Sequence, residues 1–365
     1  MASSFCIADH VKETDFLSRA IEATSVDAIS ALLSQLPIVD EQDYGPHFDR
    51  QSPERGWVPG KLHWYPVGGD RGNGGRIKLA GSAENPIGER LINAMESIIE
   101  HQRQLELLAN PDAPQPNSPR AAVKRYFDLP PLDQVPEMQT LLHGVKPKKY
   151  AREIAKLIRV KLIRASSKLG KYAVVIEDDG IGQVPSRLHS TLLSLGSSDK
   201  ADKPYLIGVF GQGGSSAYQA STMSWLVSRR DRTLTTSEDE RGVGWTVVKH
   251  IFPIGLRNDY FAYLAASPDG TVPTFSAKAA DAAKISHGTR IAHIDYDFGK
   301  SEPARTLYVS LNHLLFNPVL PYELTTGPDR TPDPMSGNAY RLSNLRREQK
   351  SLDKRFEPQS VISNK

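Results

Sequence analysis

A strongly apolar segment that ends at two adjacent carboxylates constrains the fold of this chain more than any other feature. Residues 172–176, Tyr-Ala-Val-Val-Ile, have the β-branched and aromatic side chains of a buried strand, and Asp178 and Asp179 follow closely. Gly180 and Gly182 come next, and glycine permits a sharp turn or a close approach of the backbone to another group. The pattern predicts a strand that carries carboxylates to its end, which is typical of ordinary turns as well as of binding sites.

The composition is that of a soluble globular chain. Its 365 residues, 39% of them hydrophobic, predict about two domains, and a net charge of +3 is too small to indicate nucleic-acid binding by itself. The one cysteine, Cys6, excludes a disulfide framework and a cysteine-rich zinc site. We expect a cytoplasmic protein, because no apolar run approaches the roughly 20 residues of a membrane span and the N-terminus lacks a signal-peptide pattern.

The first 59 residues are predicted to form a helical arm and a linker. Residues 14–37 have apolar side chains at helical spacing, and residues 44–59 are rich in Pro, Gly and charge. After them, "KLHWYPV" and "GRIKLAG" predict two strands joined by the glycine-rich turn "GGDRGNG". This turn lacks the Gly-Lys-Ser/Thr ending of a phosphate-binding P-loop, which favours a simple turn.

The clearest predicted helix is "NPIGERLINAMESIIEHQRQLELLAN", which has Pro86 in its first turn and apolar residues at three- and four-residue steps. Glu89, Asn93 and Glu96 share one polar face of this helix. Such a face is usually the solvated side of an amphipathic helix, but Asn is an uncommon choice for an exposed helix interior.

A second glycine-rich segment, "GVFGQGG" at residues 208–214, precedes another predicted helix. Free backbone N–H groups and the helix dipole at such a position favour an anion, although the same glycines could permit a tight turn. Residues 194–203, which contain Lys200, form a small polar loop before it. A phosphate cradle and a simple turn both remain open from this segment alone.

Four segments, in this order, resemble the sequence boxes of the GHKL ATPases: "ERLINAMES", "DDGIG", "GVFGQGG" and "HGT" at residues 287–289. This superfamily includes the DNA gyrase B subunit, MutL, the heat-shock chaperone ATPases, the MORC proteins and histidine kinases. The resemblance covers residues 60–295. It implies the Bergerat fold, an α/β sandwich with a mixed, mostly antiparallel sheet and helices on one face.

The resemblance implies a Mg²⁺-dependent ATP site and a role for each matching residue. Glu89 matches the glutamate that activates the attacking water, Asn93 the asparagine that binds Mg²⁺, and Asp178 the aspartate that accepts a hydrogen bond from the adenine amino group. Thr289 is expected to join the adenine network, and Lys200 to contact phosphate from a mobile lid at residues 194–203. The other residues expected to bind the nucleotide are Glu96, Gly180, Gly182, Gly208, Phe210, Gly211, Gln212, Gly213, Gly214 and Ser215.

Two departures from the gyrase and MutL pattern affect the domain organisation. The interval between the first two boxes is long, which implies an insertion at residues 97–171. Those relatives also take a phosphate-sensing lysine from a following domain. Here residues 296–365 are expected to be the start of a transducer-like region or a tail, and Lys350 is a poor match for that lysine, so the chain is a fragment or lacks a recognisable one.

The main functional prediction is a slow ATPase whose lid closure gates homodimerisation or engagement of a protein partner. The likeness to MORC and chaperone ATPases implies a bacterial DNA-handling or phage-defence assembly, with nucleic-acid contact left open. A non-hydrolysing ATP-binding scaffold or regulatory subunit is the main alternative. A histidine kinase is disfavoured, because His10, His47 and His63 do not form a phosphoacceptor pattern before the first box.

Overall fold

The computed structural model describes residues 12–39, 51–52, 54–78, 81–129, 149–164, 171–195, 202–207, 213–252, 259–299, 302–327 and 330–338. Within these ranges the chain is a mixed α/β protein built on one ten-stranded, mostly antiparallel sheet. The coarse prediction of a mixed α/β protein with this kind of sheet is therefore confirmed.

The strands of the sheet are spread along the sequence from His63 to Met335. Its strands are β1 (His63–Pro66), β2 (Ile158–Ile163), β3 (Lys171–Asp178), β4 (Met223–Arg229), β5 (Val243–Ile251), β6 (Tyr260–Ala265), β7 (Thr274–Phe275), β8 (Gly288–Asp297), β9 (Tyr322–Thr325) and β10 (Asp333–Met335). Their order is β1-β6-β5-β4-β8-β3-β2-β9-β10, with β7 paired to β5. The β2–β9 pair is parallel, and the other pairs are antiparallel.

The described helices precede β1 or lie between strands in the sequence. They are α1 (Glu13–Glu22), α2 (Val26–Leu33), α3 (Asn85–Ala109), α4 (Pro119–Phe127), α5 (Lys149–Ala155), α6 (Leu188–Thr191), α7 (Ala217–Ala220), α8 (Ala277–Ala282) and α9 (Pro303–Leu314). The long helix predicted from "NPIGERLINAMESIIEHQRQLELLAN" is α3, and Pro86 lies in its first turn, where its missing N–H breaks no helical hydrogen bond.

Helices cover both faces of the sheet, which corrects the prediction of helices on one face. On one face, Val174 and Ile176 of β3 pack with α3, α4 and α9. On the other face, Val175 packs with α1, α2 and α8. The central strands are buried on both sides, with β4 buried at all but its first position, so each face needs an apolar cover.

The N-terminal helices pack against the chain's own sheet. Phe16 of α1 is fully buried, and its ring centroid lies 5.7 Å from Phe275, 5.8 Å from Trp245 and 6.4 Å from Trp225. Trp225 and Trp245 stack with their ring centroids 5.1 Å apart. The segment predicted to be an arm thus contributes directly to the core.

The described part of residues 296–365 continues the same sheet. Strand β9 pairs with β2, β10 pairs with β9, and Leu307 and Leu311 of α9 are fully buried in the core that contains α3. Residues 339–365, which include Lys350, lie outside the described residues.

One of the two strands predicted around the first glycine-rich turn is absent from the described residues. β1 forms as expected, but residues 75–78 of "GRIKLAG" are not in a strand. The buried side-chain amide of Asn73 makes the hydrogen bonds to β6 that a neighbouring strand would otherwise make. It donates to the Phe261 carbonyl at 2.8 Å and accepts from the Phe261 N–H at 2.8 Å, and it also donates to the Val67 carbonyl at 2.9 Å. Among the described residues, no helix is long and apolar enough to cross a membrane.

Candidate functional site

Asp178 is a buried carboxylate at the end of β3. Its Oδ1 accepts a hydrogen bond from the Gly180 backbone N–H at 3.0 Å, and the Ser97 hydroxyl of α3 donates to the same carboxylate. Burial raises the pKa of Asp178 to about 7, and the nearby charge of Asp179 adds to this, whereas the two hydrogen bonds act in the opposite direction. A buried acid with a pKa near neutrality is typical of functional sites.

The glycines after Asp178 allow helix α3 and the neighbouring strands to approach the turn closely. A Cβ on Gly180 would lie 2.2 Å from Ser97 Oγ, and the Ile181 N–H donates to the Ser97 carbonyl at 3.1 Å. Gly182 has a φ of +65°, and a Cβ there would lie 1.7 Å from the Arg229 carbonyl oxygen. Both contacts are with fixed groups of the protein, so any larger residue would force the backbone to move.

Thr289 lies beside Asp178 on the adjacent strand β8, with their Cα atoms in register. Its hydroxyl is 2.9 Å from the hydroxyl of Ser228, a buried residue of β4. Ser228 also donates to the Gly288 carbonyl at 3.1 Å and accepts from the Gln183 N–H at 2.9 Å. Sequence reasoning missed Ser228, although a serine within the apolar strand "MSWLVSR" was an available signal.

Three polar residues of α3 follow one another at four-residue steps: Glu89, Asn93 and Ser97. Glu89 is exposed, Asn93 is half-buried, and Ser97 reaches Asp178. Residues at this spacing lie on one face of a helix, and eight residues of helix span about 12 Å. The face therefore runs from the buried carboxylate of Asp178 to the exposed acid Glu89.

Glu96 is buried on α3 and has a backbone partner. Its Oε1 accepts a hydrogen bond from the Ile207 N–H at 2.8 Å. One turn further, Glu100 accepts hydrogen bonds from Lys203 Nζ at 3.1 Å and the Tyr205 hydroxyl at 2.8 Å. These two acids hold residues 203–207 against α3. Residues 203–207 directly precede the second glycine-rich segment. Sequence reasoning missed the contribution of Glu100.

Much of the predicted lid and phosphate cradle lies outside the described residues, including Lys200, Gly208, Phe210, Gly211 and Gln212. The described end of this segment is a 3-10 turn at Gly213–Ser216, which contains Gly214 and Ser215 and leads into α7. The turn lies close to α3, because a Cβ on Gly214 would be 3.0 Å from the guanidinium carbon of Arg90.

Arg90 is another residue that sequence reasoning missed. It is 5% exposed, and its Nε and Nη2 have no hydrogen-bond partner among the residues that the structure describes. Its guanidinium carbon lies 5.4 Å from the centre of the Tyr218 ring. A buried positive charge is costly unless it meets an anion or hydrogen-bond acceptors. Arg90 therefore gives the region next to Gly214 an affinity for negative charge.

Two places among the described residues have ligands suited to a metal ion. Asn93 offers a hard amide oxygen of the kind that Mg²⁺ accepts beside phosphates. In a second group, the ligand atoms of His101, Asp231 and His287 all lie within 4.8 Å of one another. Nitrogen donors in that second group suit a transition metal better than Mg²⁺.

Comparison with protein-family models finds none that matches this chain, and comparison with curated proteins finds no significant match.

Proposed function

We propose that this protein is an ATPase of the GHKL type, with a Bergerat ATP-binding fold, that binds ATP and Mg²⁺ between α3 and the end of β3. The observation that carries the proposal is the setting of Asp178. A buried carboxylate is oriented by Ser97 and the Gly180 N–H at a turn whose glycines let α3 and the Arg229 carbonyl pack closely. Such a group is suited to a planar hydrogen-bond donor rather than to bulk water.

In this proposal the ionised Asp178 carboxylate accepts a hydrogen bond from the adenine amino group. A hydrogen bond to a charged group contributes about 1.5–3 kcal/mol, which selects adenine over guanine, whose corresponding position is an acceptor. Thr289 supports the same network through its contact with Ser228. Gly180 and Gly182 let Ser97 and the Arg229 carbonyl pack against the turn, which holds Asp178 in position for the base.

In this proposal the triphosphate extends along α3 from Asp178 toward the exposed Glu89. Asn93 binds the Mg²⁺ that bridges the phosphates, and Glu89 orients the attacking water. Arg90 supplies positive charge beside Gly214, and the glycine-rich segment, with Ser215, contributes backbone N–H groups. The exposure of Glu89 is compatible with water activation, and it also leaves open a scaffold that binds ATP without hydrolysing it.

Lid closure is the proposed output of ATP binding. Glu100 binds Lys203 at the C-terminal end of the lid, and Glu96 binds Ile207 just after it. Both acids belong to the helix that carries Asn93, so a nucleotide bound on that helix would lie close to the lid. Closure would gate homodimerisation or a protein partner, in a DNA-handling or phage-defence assembly. Sedimentation velocity with a non-hydrolysable ATP analogue and with ADP tests this output, and an oligomeric state indifferent to nucleotide contradicts it.

Isothermal titration with ATP, ADP and GTP in Mg²⁺, followed by a phosphate-release assay, tests the site itself. We expect ATP and ADP to bind, GTP to bind far more weakly, and phosphate release to be slow. Asp178→Asn should abolish measurable ATP binding, whereas Asp179→Asn should retain it, because Asp179 pairs with Arg159 at 2.7 Å. Equal ATP affinity in wild type and Asp178→Asn would contradict the proposed site, and binding without phosphate release would favour the scaffold.

A further inference from the structure

Three side chains from distant parts of the sequence meet behind the Asp178 turn. His101 belongs to α3, Asp231 follows β4, and His287 directly precedes β8. His101 Nε2 lies 2.5 Å from Asp231 Oδ2, and the two histidine rings have centroids 4.6 Å apart. The side chains of His101 and Asp231 are 8% and 14% exposed, and His287 is half-buried.

The second ring nitrogen of His287 is already committed to a backbone partner. Its Nδ1 lies 2.7 Å from the Gly180 carbonyl oxygen, and because a carbonyl only accepts, Nδ1 must carry the proton. The neutral ring then has an unprotonated Nε2, which is the form that binds a metal ion. Metal-binding histidines almost always donate their other N–H to a carbonyl or carboxylate in this way.

Asp231 is oriented by a comparable set of supporting hydrogen bonds. Its Oδ1 accepts from the Thr233 N–H at 2.8 Å and from the Thr233 hydroxyl at 2.9 Å. These bonds leave Oδ2 directed toward the histidines. The carboxylate is thus held by its neighbours in the orientation that a ligand needs, independently of His101.

We propose that His101, Asp231 and His287 form a site for a divalent transition-metal ion, with Zn²⁺ as the ion of best fit. Two imidazoles and one carboxylate favour Zn²⁺ over Mg²⁺ or Ca²⁺, which prefer oxygen ligands. Ligands around a four-coordinate Zn²⁺ lie about 3.3 Å apart, given bonds of about 2.0 Å. The three ligand atoms lie within 4.8 Å of one another; on binding the ion, His101 Nε2 and Asp231 Oδ2 would separate from their present 2.5 Å to about 3.3 Å.

Three protein ligands leave a fourth position for water, as in zinc sites that bind a further ligand. The ion would join α3, the segment after β4 and the start of β8. It would also hold Gly180 in place through His287. The site does not depend on the proposed ATPase activity, because its ligands are separate from Glu89, Asn93 and Asp178.

The test is metal binding by the full chain after removal of metal with a chelator. Isothermal titration with Zn²⁺ should give one ion per chain, and Co²⁺ should give the intense visible absorption of a four-coordinate complex. Zn²⁺ should also raise the melting temperature of the wild type, as mass action requires of a ligand that binds the folded state. A wild type that binds no Zn²⁺ in these conditions overturns the proposal without any variant.

Variants then assign the ligands. His101→Gln, His287→Gln and Asp231→Asn should each lose the stoichiometric site, and Thr233→Ala should weaken Zn²⁺ binding by about 10-fold, the usual effect of losing a supporting hydrogen bond. His250→Gln is the matched control, since His250 also pairs with an aspartate, Asp259, and is not part of this three-ligand group. Circular dichroism checks that each variant is folded. Unchanged Zn²⁺ binding in folded His101→Gln and His287→Gln would overturn the assignment.

Discussion

Replacing Asp178 with asparagine should make the fold more stable while it removes ATP binding. The wild-type carboxylate is buried and has a pKa raised by that burial from 3.8 to about 7. At about pH 8 the folded protein must therefore keep a negative charge in a place that disfavours it. Asparagine has nearly the same shape, and its oxygen can still accept the hydrogen bond from the Gly180 N–H.

The size of the effect follows from the change in pKa between the unfolded and folded states. Each unit of pKa corresponds to about 1.4 kcal/mol, so the rise to about 7 amounts to about 4 kcal/mol at alkaline pH. The buried amide of asparagine offsets part of this gain, because it also needs hydrogen-bond partners. We expect the free energy of unfolding to increase by about 2–4 kcal/mol at about pH 8.

The pH dependence has a definite sign. Between pH 3.8 and about 7, the folded state of the wild type holds the Asp178 proton more tightly than the unfolded state does. The free energy of unfolding of the wild type should therefore rise as the pH falls through this window, relative to that of the variant. The advantage of Asp178→Asn should be largest above pH 7 and disappear near pH 4.

Urea denaturation of both proteins at a series of pH values measures this difference, provided that the dependence on urea is unchanged. Asp179→Asn is the matched control: this neighbouring carboxylate receives two 2.7 Å hydrogen bonds from Arg159, so its loss should not stabilise the protein. If Asp178→Asn were no more stable than the wild type at alkaline pH, the carboxylate would not be a buried charge and the reasoning would fail.

Three further predictions concern binding, chemistry and packing. ATP affinity should fall by up to about tenfold per pH unit below pH 7, because Asp178 must lose its proton before it can accept a hydrogen bond from adenine. Titrations with ATP from pH 8 to pH 5.5 measure this. An affinity independent of pH would show that Asp178 does not recognise adenine. Glu89→Ala should retain ATP binding and lower the rate of phosphate release by about 10²–10⁴-fold. Asn93→Ala should instead weaken Mg²⁺-dependent ATP binding. Normal turnover of Glu89→Ala would show that another group is the base. Phe16→Ala should lower the free energy of unfolding by about 3–5 kcal/mol, because it removes a fully buried ring from the cluster around Trp225. Thermal melting measures this loss. A change below about 1 kcal/mol would mean that α1 is not part of the core.

Local patterns in the sequence were enough to predict the elements that carry the candidate site. The apolar run before Asp178 is strand β3, and the three- and four-residue spacing after Pro86 is helix α3. Such patterns depend on which face of a single element is buried, and the chain records that directly. The resemblance carried by the four motifs implied the mixed, mostly antiparallel sheet but placed helices on only one of its faces.

Only the tertiary structure decided which side chains from different elements come together. Ser97 meets Gly180, Ser228 meets Thr289, and Arg90 is buried beside Gly214, and no single segment predicts any of these contacts. The group of His101, Asp231 and His287 likewise spans nearly 190 residues of sequence, so no local spacing reveals it. Packing of Phe16 against the sheet was hidden for the same reason. Periodicity reports burial along one element, whereas contacts between elements depend on strand order and register, which only the assembled sheet defines.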